Sequence, residues 1–422
     1  MCRISCASRN SAGPVVSRVT LFHPEFGTPG GAEILVASHA QFLRDAGRET
    51  HVATFRYDPV RWSSWFGGVG VDAMPPDRGR DKVRDFFLTK PTRLAAWAST
   101  AFPSGSTVIA YNHPASSALG HSRADVRRIW HCCEPPRDLH MFEANPILAA
   151  RMRATLGLAK EDATRRFYKE SLAWRFEQRF GLSAPRQRRR DLSGIAPYQE
   201  IWALSEFSRD NVARIYGRRD AEVIYPLVRF PSAPAQKQGL ARGGLSILCQ
   251  TRLETQKNVD TVIRGFARFL RAREGAGARL HVVGQGVARA RLETIAETLG
   301  IGAAVTFHGF ASDAELERIY AACDVFALLP IDEPFGMVFP EAMARGLLVV
   351  GPDHGGPREI LDGGASGFAV DAFDPEKLAE TFRAITRLDD AEVDRRRVRA
   401  DRDARARFGR EAIGARLLDL LG

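Results

Sequence analysis

The sequence predicts an α/β protein of two Rossmann-like domains, each with a parallel sheet. Short apolar runs alternate with helical patterns along most of the 422 residues. This alternation is typical of parallel strands joined by right-handed helical crossovers. The chain is also longer than one typical hydrophobic core. Residues 226–244, rich in Pro, Gln, Gly and Ala in their second half, interrupt the pattern and are predicted to link the two domains.

These features divide the chain into an N-terminal domain over residues 17–225 and a C-terminal domain over residues 245–404. Residues 1–16 contain no apolar stretch of the kind that marks a secretory signal, so we expect a disordered lead-in. No apolar run approaches the roughly 18–20 residues that a membrane-spanning helix needs. The six cysteines form no Cys-x-x-Cys pair. They therefore predict free thiols in a reducing compartment, and we expect a cytoplasmic protein.

The overall charge predicts anionic partners. The net charge is +10 and the isoelectric point is about 9.6, which favours phosphate-bearing substrates, acidic lipid headgroups or nucleic acid. Neither an aromatic RNP pattern nor a Cys/His finger occurs in the sequence. We therefore do not expect nucleic acid to be the partner.

The N-terminal domain is predicted to open with a strand, a glycine-rich turn and a helix. The strand covers residues 17–22, the turn contains Gly30 and Gly31, and the helix ends near Ala46. Such a junction is a natural phosphate site, because the first amides of the helix face the bound anion. The turn lacks the Gly-x-Gly-x-x-Gly pattern, which disfavours a Rossmann dehydrogenase. Further strands are predicted at residues 50–55, 108–111, 128–130 and 200–204.

Two of these strands end near histidines. For His113 a structural role is favoured over a catalytic one. The next strand leads into His131-Cys132-Cys133-Glu134. Zinc binding there is not expected, because neighbouring strand residues point to opposite faces and no fourth ligand is suitably spaced. Cys133 has no evident activating partner, so we do not assign it a proton transfer.

A helical, strongly basic region is predicted between residues 138 and 190. Arginines interleave with aromatic residues over residues 165–190. The first interpretation is an amphipathic helix packed on its own domain, with its charges in water. The alternative is a surface that binds an anionic membrane or a phosphorylated lipid. This alternative would place the protein peripherally on the inner face of the membrane.

The C-terminal domain begins with a predicted strand over residues 245–250, followed by Arg252 and Lys257. Two cations five residues apart at a strand-to-helix junction can neutralise a diphosphate, the arginine with a forked contact and the lysine as a point charge. Later strands end at Gly284 and near Phe310. Asp401-x-Asp403 resembles a metal-binding pair, but it lies within an arginine-rich helix and is predicted to be structural.

Residues 333–341 form the most distinctive stretch, with Glu333 and Glu341 on either side of Gly336. Gly336 permits a sharp turn. A helix is predicted to begin near Met337 or Val338, with a proline in its first turn, where a missing N–H costs little. The amides of residues 336–338 would then face a bound anion, between two carboxylates.

Together these motifs resemble the family-4 glycosyltransferases, which are retaining enzymes of the GT-B fold that use nucleotide-diphosphate sugars. The resemblance rests on Glu-x7-Glu at 333–341, Arg…Lys-Asn at 252–258, Gly-Gly-Ala-Glu at 30–33 and Cys-Cys-Glu-Pro-Pro at 132–136. It covers roughly residues 17–420. It implies that the two domains face each other across a central cleft, with the donor mainly on the second. It also implies that a last helix, about residues 405–422, packs back on the first domain.

The resemblance implies roles for individual residues. Two positions depart from the family pattern: Thr251 replaces a glycine, and Cys133 replaces a histidine or asparagine. The departing phosphate is expected to deprotonate the acceptor. The implied catalytic residues are Arg252, Lys257 and Glu333; the donor-binding residues are Gly30, Gly31, Gly284, Phe310, Phe335, Gly336, Met337, Val338 and Glu341; the acceptor-side residues are His131, Cys133 and Glu134.

The expected activity is transfer of a hexose, with retention, from a GDP- or UDP-linked sugar to a hydroxyl of a glycan or lipid-linked acceptor. Mannose is the favoured hexose because it is frequent in the family. Neither a metal ion nor another cofactor is expected. Two alternatives stay open: a catalytically silent nucleotide-sugar-binding protein, motivated by Cys133, and a sugar-nucleotide epimerase of the same fold.

Overall fold

The computed structural model describes residues 18–27, 30–74, 91–137, 139–140, 184–232, 237, 239–241 and 243–422. The predicted lead-in, residues 1–16, lies outside these ranges. So does most of the predicted basic region, including the part of residues 165–190 that precedes residue 184. The membrane-surface hypothesis for that region therefore stays a prediction.

The first domain is built on a seven-stranded parallel sheet with the order β3-β2-β1-β4-β5-β6-β7. Its central strand β4 is buried along its whole length, as expected for an inner strand covered on both faces. The strands are β1 (Val19–Phe26), β2 (Thr50–Tyr57), β3 (Gly70–Ala73), β4 (Thr107–Tyr111), β5 (Arg127–Cys132), β6 (Glu200–Ala203) and β7 (Glu222–Val223).

The second domain has a six-stranded parallel sheet with the order β10-β9-β8-β11-β12-β13. The predicted α/β class with two parallel sheets is thus confirmed. The strands are β8 (Ser246–Gln250), β9 (Arg279–Val283), β10 (Val305–Gly309), β11 (Val325–Ala327), β12 (Leu348–Pro352) and β13 (Phe368–Val370).

Helices connect the strands and cover the sheets. In the first domain they are α1 (Gly31–Asp45), α2 (Pro59–Phe66), α3 (Pro91–Ala101), α4 (Ala115–Gly120), α5 (Ala184–Ile195) and α6 (Glu206–Tyr216). From the second domain onwards they are α7 (Val259–Leu270), α8 (Arg289–Thr298), α9 (Asp313–Ala322), α10 (Val338–Ala344), α11 (Gly355–Ile360), α12 (Pro375–Thr386), α13 (Asp390–Phe408) and α14 (Arg410–Leu421).

Strand β1 is longer than the sequence predicted. It was expected to end at residue 22 but continues to Phe26, where it still pairs with Tyr57 of β2. The fully buried ring of Phe26 packs against Trp62 and Phe66 of α2, and this packing holds the strand in register. The glycine-rich turn therefore begins four residues later than predicted, at Gly27.

The sequence correctly predicted the start and end of α6 and the start of α10. The hydroxyl of Ser205 accepts the backbone N–H of Ser208 at the start of α6, and Gly217 ends that helix in the left-handed region. Helix α10 begins at Val338 and has Pro340 in its first turn.

The end of the chain contacts the first domain. The Arg127 guanidinium donates to the carbonyls of Leu420 and Leu421 at 2.7 and 3.3 Å. A Cβ atom on Gly414 would lie 2.2 Å from the Phe42 ring, so α14 lies directly against α1. Asp401 and Asp403 bind arginines of their own helix, α13, in line with the predicted structural role.

Candidate functional site

The loop between β11 and α10 forms the centre of the site. Gly336 has φ +88°, and a Cβ atom there would lie 2.6 Å from the Phe339 ring, so only glycine fits the turn. Asp332 also adopts a positive φ, +59°. Gly356 donates its backbone N–H to the Glu333 carbonyl at 2.9 Å, so the loop is braced from behind. The turn leaves the amides of residues 336–338 at the start of α10, a position that suits an anion.

Glu333 and Lys257 meet in this loop. The Lys257 Nζ lies 2.6 Å from Glu333 Oε2, and both side chains are largely buried. Burial raises the pKa of Glu333, but the Lys257 ammonium and the nearby guanidinium groups outweigh it and hold the pKa below its usual value. Glu333 is therefore ionised at neutral pH. A bound diphosphate would compete with this carboxylate for Lys257.

Arg252 lies at the mouth of the cleft. Its side chain is 61% exposed and forms an ion pair with Glu254 at 3.2 Å. Its charge contributes, after Lys257 and Arg137, to the lowered pKa of Glu333 in the second domain. In the first domain it opposes the rise that burial causes in the pKa of Glu33. The guanidinium is therefore close to both domains and remains accessible to a ligand.

Close packing of two loops carries Arg252 to this position. A Cβ atom on Gly284 would lie 1.8 Å from the Thr251 carbonyl oxygen, so the chain after β9 can approach the Arg252 loop only with glycine there. Asn258 fixes the other end of the same loop, donating to the carbonyls of Leu329 and Ala372 at 2.8 and 2.7 Å. At the neighbouring strand end Phe310 is 79% exposed, which leaves its ring free to stack on a planar group.

Glu341 lies one turn further along α10, apart from the Lys257–Glu333 pair. Burial raises its pKa to about 7, opposed by the charge of Arg345. The neighbouring Tyr320 donates its hydroxyl hydrogen to Gln250, while the Arg345 guanidinium lies over the Tyr320 ring. The carboxyl group of Glu341 is therefore poised to change charge near neutral pH.

The first domain approaches this loop at the start of α1. A Cβ atom on Gly31 would lie 3.6 Å from the Met337 side chain, so Gly30 and Gly31 face the Gly336 loop across the cleft. The Glu33 carboxylate folds back over the same helix start, with its Oε2 within 2.6 Å of the position of a Cβ atom on Gly30. Burial raises the pKa of Glu33, and the backbone N–H groups of Glu33 and Gly30 offset only part of that rise. Glu33 thus occupies the amide site that a phosphate would otherwise use.

Arg137 crosses the cleft at the end of β5. Its guanidinium lies 2.6 Å from Glu134 Oε2 and donates to the Asp332 carbonyl at 2.8 Å. Burial raises the pKa of Glu134, while the charge of Arg137 lowers it. The predicted acceptor-side residue Glu134 is therefore tied through Arg137 to the loop that holds Glu333.

A second pair of contacts joins the domains behind the loop. The Ser205 hydroxyl donates to the Pro334 carbonyl at 2.6 Å. The Glu359 carboxylate accepts the backbone N–H groups of Glu206 and Phe207 at 3.0 and 2.8 Å, so a residue of the second domain caps helix α6 of the first. These contacts hold the Gly336 loop at a fixed position relative to the first domain.

Three predicted site residues do not present their side chains to the cleft. His131 is fully buried, stacks on His39 and contacts Trp202; its assignment to the acceptor side is therefore wrong, because its position in β5 points it into the core. Phe335 packs between Tyr225 and Phe408, so only its backbone can contact a donor. The Cys133 thiol is buried, and burial and nearby carboxylates raise its pKa, which excludes a thiolate there.

Sequence reasoning missed several residues at this site. Glu33, Arg137, Asp332 and Glu359 all act across or along the cleft, yet they were given no role. The signal for Arg137 was its position directly after Glu-Pro-Pro, and for Glu33 its position in Gly-Gly-Ala-Glu. Asp332 and Glu359 carry no sequence signal that separates them from other surface acids.

Two kinds of feature are absent from the part of the chain that the structure describes. Within that part, no three His, Cys, Asp or Glu side chains are grouped so that they could hold a metal ion. Within the same part, no helix is long and apolar enough to span a bilayer.

The sequence of the second domain matches a known family. The family described as glycosyl transferases group 1 matches residues 234–407. This range contains Arg252, Lys257, Glu333 and Glu341, together with the Gly336 loop.

Curated relatives align with less than half of the chain. Mannosylfructose-phosphate synthase of Agrobacterium fabrum is 35% identical over 165 residues, which are 36% of this chain and 36% of that protein. A GDP-mannose-dependent alpha-(1-6)-phosphatidylinositol monomannoside mannosyltransferase of Mycobacterium tuberculosis is 29% identical over 198 residues, which are 43% of this chain and 51% of that protein. The chain thus aligns with about a third of the length of the first relative and about half of the length of the second.

Solved structures match nearly the whole chain. Anabaena HepE in complex with UDP and glucose has a TM-score of 0.66 at 19% identity, covering 95% of this chain and 98% of that one. Sucrose-phosphate synthase from Thermosynechococcus elongatus has a TM-score of 0.68 at 18% identity, covering 96% and 98%. The fold is therefore GT-B, as the resemblance implied.

The fold and the family match define the class of the protein. Its two domains have the architecture of the GT-B glycosyltransferases, and its second domain matches the glycosyl transferases of group 1. The predicted resemblance to GT-B glycosyltransferases is confirmed at this level.

Proposed function

We propose that this protein is a retaining glycosyltransferase that moves a hexose from a GDP- or UDP-linked sugar to a hydroxyl of a glycan or lipid-linked acceptor. One observation supports this most strongly: the Lys257–Glu333 pair and Arg252 converge on the Gly336 loop, opposite Gly31 of the first domain. Cations and helix-start amides would face a diphosphate there, and an ionised glutamate would face the sugar.

In this proposal different residues bind the diphosphate and the transferred sugar. The diphosphate displaces Glu333 from Lys257 and binds Lys257, Arg252 and the amides of residues 336–338. These groups place positive potential where negative charge develops as the diphosphate leaves. Glu333, released from Lys257, accepts hydrogen bonds from hydroxyls of the transferred sugar.

The nucleoside half of the donor would lie further along the second domain. In this proposal Glu341 accepts hydrogen bonds from the ribose hydroxyls. The Phe310 ring, which is exposed, stacks on the base. The printed names of the relatives support a sugar nucleotide as donor: one is GDP-mannose-dependent, and one structural neighbour was solved with UDP-glucose. Mannose stays the favoured hexose in this proposal, and no metal ion is assigned a role.

A thermal-shift screen followed by product analysis tests the proposal. The protein is mixed with GDP-mannose, UDP-glucose and related nucleotide sugars, because a bound donor raises the apparent melting temperature. The donor that binds is then incubated with the protein in water, which takes the place of the acceptor hydroxyl, and proton NMR follows the anomeric signals of the donor and of the released sugar. We expect consumption of the donor with release of nucleoside diphosphate and an α-configured product from an α-linked donor.

Matched variants and alternative outcomes make this test specific. Arg252→Ala should reduce turnover about 10²–10³-fold, whereas Arg264→Ala, at an exposed position on α7, should not. Binding without consumption would instead identify a silent nucleotide-sugar-binding protein. An isomerised donor that stays attached to its nucleotide would identify an epimerase.

A further inference from the structure

An arginine of the first domain holds the backbone of the Gly336 loop in the second domain. Arg137 follows β5, and its guanidinium donates to the Asp332 carbonyl at 2.8 Å. Its Nε lies 3.6 Å from Asp332 Oδ2, and its Nη2 lies 2.6 Å from Glu134 Oε2. The side chain is largely buried, at 19% exposed. The proposed donor chemistry gives this contact between the domains no part.

The residue that Arg137 holds comes directly before Glu333 and has an unusual backbone conformation. Asp332 has φ +59°, in the left-handed region, which a residue with a side chain keeps only where surrounding contacts hold it. The Asp332 carbonyl and the Glu333 N–H belong to one planar peptide unit. A guanidinium that binds this carbonyl therefore fixes the orientation of the peptide plane from which Glu333 extends.

The second domain itself holds the backbone on either side of this peptide. The Ile331 N–H donates to a carbonyl of the loop after β8 at 2.8 Å, and the Glu333 carbonyl accepts the Gly356 N–H at 2.9 Å. The carbonyl between these two points, that of Asp332, is bound by Arg137 of the first domain. The peptide before Glu333 is therefore held in this orientation by a contact that exists where the two domains meet.

The charge of Arg137 acts on Glu333 as well. Burial raises the pKa of Glu333, while the charges of Lys257 and then of Arg137 lower it. In the proposed function the diphosphate takes Lys257 away from Glu333 and also binds Arg252. Arg137, which stays bound to the loop, is then the cation that continues to favour an ionised Glu333.

The shape of the side chain matters in addition to its charge. The planar guanidinium contacts a carbonyl and two carboxylates at once, whereas a lysine would keep the charge as a single point. Burial raises the pKa of Glu134 and of Asp332, and the charge of Arg137 opposes the rise in both. Without Arg137 these two carboxylates and Glu333 would face one another without the cation that separates them.

We propose that Arg137 is a positioning residue, which holds the Asp332–Glu333 peptide so that the Glu333 carboxylate meets the hydroxyls of the transferred sugar. This role rests on the proposed function, in which Glu333 contacts the sugar. It adds a residue of the opposite domain that touches neither the sugar nor the diphosphate and acts through Glu333. Placement of the sugar in the second domain thereby depends on the contact with the first.

Donor hydrolysis tests this role without knowledge of the natural acceptor, because water then takes the acceptor position. The nucleotide sugar that binds the wild-type protein is incubated with wild type, Arg137→Ala, Arg137→Lys, Glu333→Gln and the double variant Arg137→Ala/Glu333→Gln. Arg218→Ala is the matched control, since Arg218 also binds a carboxylate and a backbone carbonyl, those of Asp220 and Tyr198, but within the first domain. Calorimetry measures the affinity for the nucleoside diphosphate, which lacks the sugar.

We expect Arg137→Ala to slow hydrolysis about 10²-fold, with the Kd of the nucleoside diphosphate changed by less than about twofold. Arg137→Lys should retain more of the rate than Arg137→Ala. In the Glu333→Gln background, Arg137→Ala should slow hydrolysis by less than about threefold more, because it acts through Glu333. Hydrolysis by Arg137→Ala at the wild-type rate would overturn the role. An equal loss in both backgrounds, weakened binding of the nucleoside diphosphate or a matching loss in Arg218→Ala would also overturn it. A wild-type protein that turns over no nucleotide sugar would overturn the proposed function itself.

Discussion

Replacing Glu341 by glutamine is predicted to stabilise the ligand-free protein while weakening its binding of a nucleotide sugar. Burial raises the pKa of this carboxyl from 4.5 to about 7. At about 1.4 kcal/mol per pH unit, this rise corresponds to roughly 3 kcal/mol of folding free energy. Glutamine keeps the shape of the side chain and cannot ionise, so it removes that penalty.

The sign of the effect follows from proton binding. Because the folded pKa lies above the unfolded one, the folded protein holds the extra proton between about pH 4.5 and pH 7. Its stability therefore falls as the pH rises through that window. The gain from Glu341→Gln should be close to zero below about pH 4 and reach its full size of about 3 kcal/mol above about pH 8.

Denaturant unfolding at pH 5 and pH 8 measures this gain, and calorimetry at pH 8 measures the affinity. Loss of a charged hydrogen bond to the ribose should cost about 1.5–3 kcal/mol, or roughly 10–100-fold in Kd. Glu297→Gln, an exposed change on α8, serves as control and should alter neither quantity. Equal stability of Glu341→Gln and wild type at pH 8 would refute the reasoning, and so would unchanged affinity for the nucleotide sugar.

Three further predictions concern the loop, the ion pair and the buried histidines. Gly336→Ala should lower the free energy of unfolding by about 1–3 kcal/mol, because φ at this position is positive and the new Cβ atom would meet the Phe339 ring. The same change should abolish the thermal shift caused by the nucleotide sugar, and an unchanged shift would contradict this prediction. Lys257→Met should reduce donor turnover about 10²–10³-fold, measured by steady-state kinetics. Turnover at the wild-type rate would exclude a role for Lys257 in stabilising the departing diphosphate. Burial lowers the pKa of His23 and of His39 to about 4, so each contributes stability that is present above about pH 6.5 and lost towards pH 4, about 3 kcal/mol per residue. Denaturant unfolding that shows no loss between these pH values would refute the burial argument.

Local patterns were sufficient to predict the fold. Apolar strands, the glycine turn at Gly336 and the serine at Ser205 each act within a few residues, so their effect is visible in the chain itself. The spacing of Arg252 and Lys257 could be predicted for the same reason, because the strand, the loop and the helix around them follow one another directly in the chain. The end of β1 was misjudged because its last four residues are held by packing against α2, which lies more than thirty residues further along.

The contacts between the domains could not be predicted in this way. Arg137 and the Asp332 carbonyl are 195 residues apart in the chain, and the amide of Glu206 and the Glu359 carboxylate are 153 apart. No periodicity connects such partners, since only the folded arrangement brings them together. The burial of His131 was missed for a related reason: its neighbours His39 and Trp202 come from other elements of the first domain.

The contacts of Asp191, a buried carboxylate on α5, show the same limit at a smaller scale. Its Oδ2 lies 2.9 Å from His140 Nε2 and accepts the Tyr216 hydroxyl at 2.6 Å. His113, His140 and Tyr216 lie on separate elements, and none of them stands in a motif with Asp191. A structural role for His113 was favoured from the sequence because a lone histidine at a strand end gives no sign of an orienting carboxylate.

A crystal structure with the nucleotide sugar that binds in the thermal-shift screen tests the central claim most directly. We expect the diphosphate to lie between Lys257 Nζ, the Arg252 guanidinium and the amides of residues 336–338, with Glu333 released from Lys257 and facing the sugar. A diphosphate bound elsewhere, with the Lys257–Glu333 pair still closed at 2.6 Å, would contradict it.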